Sequence, residues 1–113
     1  MNTEAAQQEL IEEFEIFDNW MARYQYIIDM GKALPDFPDE WKTDEYKIRG
    51  CQSNVWVQHE KQGDKLLFRA TSDAAIVSGL IAVLLRIYNE RSAEDIVATE
   101  PHFLADLGLD KHL

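Results

Sequence analysis

The sequence predicts an α+β fold, a two-layer sandwich in which a small antiparallel sheet packs against helices. Three observations lead there. Two segments of helical apolar period open the chain, a stretch rich in β-branched and aromatic residues with turn chemistry follows, and a long apolar helix with shorter ones closes it. At 113 residues and 46% apolar, with three Trp, four Tyr and five Phe, the chain suffices for one domain over 1–113. A single core is expected, without help from metals or disulfides.

The first helix is entered near Thr3, because Leu10, Ile11, Phe14 and Phe17 repeat at helical spacing with Glu9, Glu12, Glu13 and Glu15 between them. After the Asp18-Asn19 break, Trp20, Tyr24, Ile27 and Ile28 continue the period, and Gly31 stands where a left-handed C-terminal residue is favoured. From Pro35 to Tyr46 two prolines and dense charge predict a loop with one helical turn. Extended pieces are expected at Ile48–Cys51, Val55–Glu60 and Leu66–Ala70, the last two joined by Gln62-Gly63-Asp64.

Thr71-Ser72-Asp73 offers capping oxygens ahead of Ala74–Asn89, whose apolar residues cover nearly the whole circumference and predict the buried centre of the fold. Ser92-Ala93-Glu94-Asp95 opens a short helix in near capping-box form. Pro101 suits the first turn of another, which Gly108 ends.

Charge narrows the function classes. With 21 acidic and 11 basic residues the formal net charge is −10, which repels nucleic-acid phosphates and anionic lipid headgroups. A partner with a basic docking surface suits this sign, and so does plain solubility. One cysteine cannot close an internal disulfide, and the N-terminus has neither a basic n-region nor an apolar h-region, so a reducing, cytoplasmic location is expected. The longest apolar stretch, Ala74–Leu85, contains Ser78 and Gly79 and falls short of the about 20 apolar residues a bilayer span requires.

The single cysteine lies in Arg49-Gly50-Cys51-Gln52-Ser53-Asn54, a tight connection between extended pieces. A free cysteine is most often an inert packing residue. Here Gly50 suits a loop that must present a side chain, and Lys47 and Arg49 bring positive charge that favours a thiolate if they face it. Gln52, Ser53 and Asn54 supply donors for an anionic sulfur, and are equally ordinary turn residues. A reactive sulfur in this setting predicts a movable loop that shields the thiol until a partner docks.

The run from Arg49 to Trp56, with Ser72-Asp73-Ala74-Ala75-Ile76-Val77-Ser78-Gly79-Leu80, strongly resembles the SufE family of sulfur acceptors for cysteine desulfurases. The likeness extends to Trp20, Tyr24, Gly31, Leu34-Pro35, Asp106-Leu107-Gly108-Leu109 and His112-Leu113. It implies that Cys51 takes the terminal sulfur of a persulfide from a SufS- or CsdA-like, PLP-dependent desulfurase, stimulates that enzyme, and passes the sulfur to a SufBCD-like iron–sulfur scaffold. It also implies a fold similar to the U-type scaffolds, no cofactor of its own since PLP belongs to the partner, and a second copy of the chain as a candidate partner. Asp73 matches a family position that modulates coupling to the desulfurase, although a helix N-terminal carboxylate would explain it as well. Arg49, Gly50, Gln52 and Ser53 are expected to shape the loop, as is Trp56. Family members generally continue past the position of Leu113 with a Ser-Arg-containing segment and a further helix, and any contribution of that segment to the cysteine pocket lies outside this sequence.

Other functions fit less well. An iron–sulfur scaffold needs about four ligands, and the chain has one thiol. His59, His102 and His112 lack the spacing of a helical metal pair and are expected at the surface or as caps. A self-sufficient enzyme is not predicted, because no second catalytic group, phosphate cradle or PLP-lysine context is present. The remaining alternative is a non-catalytic adaptor that activates a desulfurase without carrying sulfur.

Overall fold

The computed structural model describes residues 1–50 and 52–109. Helix α1 (Thr3–Phe14) and helix α2 (Trp20–Lys32) form the opening pair, and a 3-10 turn at Asp39–Trp41 interrupts the loop that follows. Strands β1 (Val55–Gln62) and β2 (Lys65–Ser72) then make a hairpin, and helix α3 (Ala75–Tyr88) leaves it. Strand β3 (Arg91–Ser92), helix α4 (Ala93–Ala98) and helix α5 (Phe103–Asp106) complete the described elements. The sheet is antiparallel in the order β1-β2-β3, so the architecture is the expected α+β sandwich.

The core has two compartments. Leu10 and Phe14 of α1, Ile27 of α2, Val83 and Ile87 of α3, and Phe103, Leu107 and Leu109 at the C-terminal end meet in one buried cluster. Val55 and Ala70 of the hairpin meet Ile81 of α3 in the other. Each such large apolar side chain contributes roughly 1.5–3 kcal/mol on burial. α3 serves both compartments, as its all-round apolar pattern requires, although Leu84 remains 44% exposed.

The close approach of α2 and α3 rests on two glycines. A Cβ on Gly79 would stand 2.4 Å from the Ile27 carbonyl oxygen, and one on Gly31 would stand 2.5 Å from the Gly79 amide nitrogen. Gly31 is therefore not the left-handed end of α2: the helix runs on to Lys32, and the glycine is needed because another backbone lies against it.

Local chemistry sets the other boundaries. α1 begins at Thr3 as expected, capped by Asn2, which accepts from the Ala5 amide, while buried Thr3 donates its amide and hydroxyl to Asp95 at 2.8 and 2.7 Å. Asn19 caps α2 and Ser92 caps α4. α5 begins at Phe103, two residues after Pro101, and Gly108 follows it at φ +80. Asp73 does not cap α3; the N-cap is Ala74, whose amide donates to the Ser72 hydroxyl at 3.2 Å.

The predicted strand at Ile48–Cys51 is not formed by its described residues. Lys47 makes a single bridge to Trp56, through Ile48 N–H to the Val55 carbonyl at 2.8 Å and Val57 N–H to the Tyr46 carbonyl at 2.9 Å. Arg49 and Gly50 then turn away, Gly50 at φ +86, a conformation that denies the ladder further partners. The third strand of the sheet comes instead from Arg91-Ser92, which pairs with Leu66 and Lys65.

Candidate functional site

The candidate site is the loop between the Lys47 bridge and β1, and the hairpin fixes where that loop ends. Its two-residue turn at Gly63-Asp64 sets Gln62 opposite Lys65 and Val55 opposite Ser72. Counting one position further outward places Asn54 opposite Asp73. The Asn54 amide donates to one Asp73 carboxylate oxygen at 3.2 Å, and the Asn54 side-chain amide donates to the other at 2.8 Å. In return, the Asn54 carbonyl accepts from the Ser72 hydroxyl at 2.8 Å and from the Asp73 amide at 3.3 Å. The Ser78 hydroxyl donates to the Ser72 carbonyl at 3.2 Å, which ties this clamp to the first turn of α3.

The entry side is held differently. Phe37 and Trp41 pack edge-on with centroids 5.6 Å apart, Tyr46 lies 6.3 Å beyond Trp41, and the Arg69 guanidinium sits 5.8 Å over the Trp41 ring. Arg69 alternates with Ala70, which faces α3, so these aromatics lie on the opposite face of the hairpin. The acidic segment before the loop is thereby pinned, and the chain is delivered to Lys47 at a set height beside β1.

Between these anchors, Arg49 and Gly50 are exposed, Gln52 is exposed, and Ser53 is half-buried in the bend that leads to Asn54. Cys51, the predicted sulfur-bearing residue, lies outside the described residues, as does His112. Lys47, Ile48, Arg49 and Gly50 line a recess of about 330 Å³ together with Asp44. The structure thus brings Arg49 and Gly50 into one recess and joins Asp73 to Asn54, and it draws no ion pair between Asp73 and Arg49.

Asn54 has a role that neither sequence expectation for it, a donor to an anionic sulfur or an ordinary turn residue, included: it is the partner that gives Asp73 its place. The signal was available in the hairpin register, because the Gly63-Asp64 turn dictates which residues face each other. Of the histidines, His59 packs beside Phe68, while His102 bonds Asp106 through Nδ1 at 2.7 Å and Glu4 through Nε2 at 2.6 Å. Among the described residues no group of three or more His, Cys, Asp or Glu side chains is placed to hold a metal ion. No helix among them is long and apolar enough to cross a membrane.

Comparison with known proteins agrees with the resemblance of the motif. A family model described as the Fe-S metabolism associated domain, SufE, matches residues 8–113. The chain is 37% identical over 114 residues to an uncharacterized SufE-like protein of Rhizobium etli, spanning 96% of this chain and 77% of that protein. It is likewise 37% identical over 110 residues to a SufE-like protein of Rhizobium meliloti, spanning 93% and 79%. The solution structure of a hypothetical protein from Thermus thermophilus superposes with a TM-score of 0.72 at 18% identity, covering 95% of this chain and 78% of that one, which shows a common fold.

Proposed function

Because this chain belongs to the SufE family, its role lies in iron–sulfur metabolism, and from that premise we propose that it carries sulfur as a persulfide on Cys51. The Cys51 thiolate attacks the outer sulfur of a persulfide on a PLP-dependent cysteine desulfurase. A new sulfur–sulfur bond forms at Cys51, the donor's sulfur–sulfur bond breaks, and the donor cysteine leaves as a thiolate. The persulfide is then passed by the same exchange to an iron–sulfur scaffold complex. One nucleophile suffices for this relay, since each transfer attacks the outer sulfur and no resolving cysteine takes part.

The observation that supports this reading most is how the described residues on either side of Cys51 are held. Ile48 is bridged to Val55, Asn54 is clamped to Asp73, and a Gly50 Cβ would meet open space. These bonds fix both ends of the segment that contains Cys51 and leave Arg49, Gly50, Gln52 and Ser53 as its described neighbours. Asp73 acts as a positioning residue for the exit.

The test is intact-protein mass spectrometry after incubation with a cysteine desulfurase and cysteine. The parent chain gains one sulfur atom, and Cys51→Ser gains none and no longer stimulates the desulfurase. Stimulation that survives in Cys51→Ser would instead establish the adaptor role.

A further inference from the structure

We propose that the free edge of β1 takes up an extended peptide segment of another protein as a fourth strand, one with apolar side chains at alternate positions and basic residues at its C-terminal end. The interaction makes no use of Cys51 and stands apart from the carrier reading.

The direction of the backbone bonds defines the edge. Toward segment 46–48 the Val55 carbonyl accepts and the Val57 amide donates, so both residues turn their peptide groups away from β2. With a period of two, His59 and Lys61 turn theirs the same way. Among the described residues, the Val57 carbonyl, the His59 amide, and the Lys61 amide and carbonyl have no hydrogen-bond partner on that side. The His59 carbonyl accepts from the neighbouring Gln58 side chain at 3.2 Å. A row of aligned, unpaired donors and acceptors is a template for one ligand shape, an extended backbone.

What lies beneath the edge separates it from an ordinary solvated strand. α3 ends against the far side of the hairpin, where the Phe68 amide donates to the Asn89 side chain at 2.7 Å and the Glu90 amide to the Leu66 carbonyl at 2.9 Å. The helix therefore covers β2, and the inner face under β1 remains an apolar groove of about 300 Å³ lined by Val55, Val57, Phe68, Leu84, Leu85 and Tyr88. Leu84, 44% exposed, is the open part of its floor. A strand added about 4.8 Å outward from β1 hangs over Leu84 and directs every second side chain into the groove.

Charge sets the direction and the kind of partner. Segment 46–48 bridges β1 antiparallel, so a peptide that continues its line in the same direction ends beside Asp44 and Glu45, both exposed. Basic residues at that end are attracted and acidic ones repelled. A second copy of this chain brings its own formal charge of −10 and is disfavoured as the occupant.

The probe is a synthetic peptide, acetylated and amidated, that alternates valine with threonine and ends in lysines. On saturation of the parent chain, hydrogen exchange at the His59 and Lys61 amides slows at least about tenfold, while the Gln58 and Glu60 amides, which face β2, hardly change. The same peptide N-methylated along its backbone does not bind. A glutamate-ended peptide binds at least about fivefold more weakly at about 50 mM NaCl, a gap that narrows at about 300 mM. Proline is tolerated where a strand N–H faces solvent, so His59→Pro keeps the hairpin folded yet weakens binding at least about tenfold. Leu84→Asp weakens binding too, whereas Val97→Asp, the same kind of change at a residue 86% exposed on α4, leaves it within about twofold. Equal binding of the N-methylated peptide would overturn the proposal without recourse to any variant, as would unslowed exchange at His59 and Lys61 or an equal loss in Val97→Asp. A dimer of the parent chain that His59→Pro dissolves would also overturn it, since the occupant is then a second copy.

Discussion

At the scale of single residues, Asp73 and Asn54 form the contact with the clearest consequence. The Asp73 carboxylate receives both donors of Asn54, one from the backbone and one from the side chain. Asp73→Ala leaves those donors to solvent, at a cost of about 1 kcal/mol for a clamp at the surface. The larger effect is local: hydrogen exchange at the Asn54 amide accelerates at least about tenfold while exchange in α3 hardly changes. Equal acceleration across α3 would show that Asp73 supports the helix rather than the loop. Asp73→Asn retains one acceptor oxygen and is expected to fall between the two.

At the scale of elements, the fold depends on how closely α2 and α3 approach. Gly79→Ala pushes a methyl group against the Ile27 carbonyl, and no rotamer change can relieve a clash with backbone. Overpacking of this kind costs about 1–3 kcal/mol, so thermal denaturation should show a midpoint lowered by roughly 4–20 °C. An unchanged midpoint would mean that the helices separate freely. Around this crossing, Arg86 of α3 bonds Glu13 of α1 at 2.6 Å, and Tyr26 of α2 donates to the same carboxylate. The Arg86 hydrogen bond, more than the Tyr26 one, holds the Glu13 carboxyl below its usual range. The three helices therefore share one polar junction above an apolar core.

At the scale of the whole molecule, the beginning of the chain is stitched to its later segments. Buried Gln7 accepts from the Phe103 amide at 3.1 Å and donates to the Glu100 carbonyl at 3.1 Å, and Thr3 is bound to Asp95. Gln7→Leu strands a buried amide at a cost of about 1–3 kcal/mol, and α1 and α5 should lose exchange protection together. Protection lost at α5 alone would argue against this coupling. His102 adds a pH-dependent stitch. A neutral imidazole has one N–H, whereas both ring nitrogens face carboxylates, so the folded protein favours the doubly protonated ring. Hydrogen bonds to Asp106 and then Glu4 raise its pKa above the ordinary 6.5. This stabilisation is fully present below 6.5, fades as pH rises through the raised folded value, and is gone above it. Denaturant titrations of the parent chain and His102→Gln across that window should differ most at the acid end, and parallel curves would remove His102 from the account.

Much of this was legible from the letters alone. The apolar period of α1, α2 and α3, the turn chemistry at Gly63-Asp64, the Ser92 cap and the stop at Gly108 are local properties, set by residues within a few positions of one another. The motif around Cys51 was legible for the same reason, since it is a contiguous run. What lay beyond the sequence was whatever depends on contact between distant segments. Gly31 looked like a helix end until Gly79 was found against it, and Asp73 looked like a helix cap until Asn54 was found opposite. The third strand, likewise, was decided by which segment reached the edge of β2, Arg91-Ser92 rather than the residues before the cysteine. A chain can specify its own turns and periods, but a close packing or a hydrogen bond across tens of residues exists only once the core has set both partners side by side.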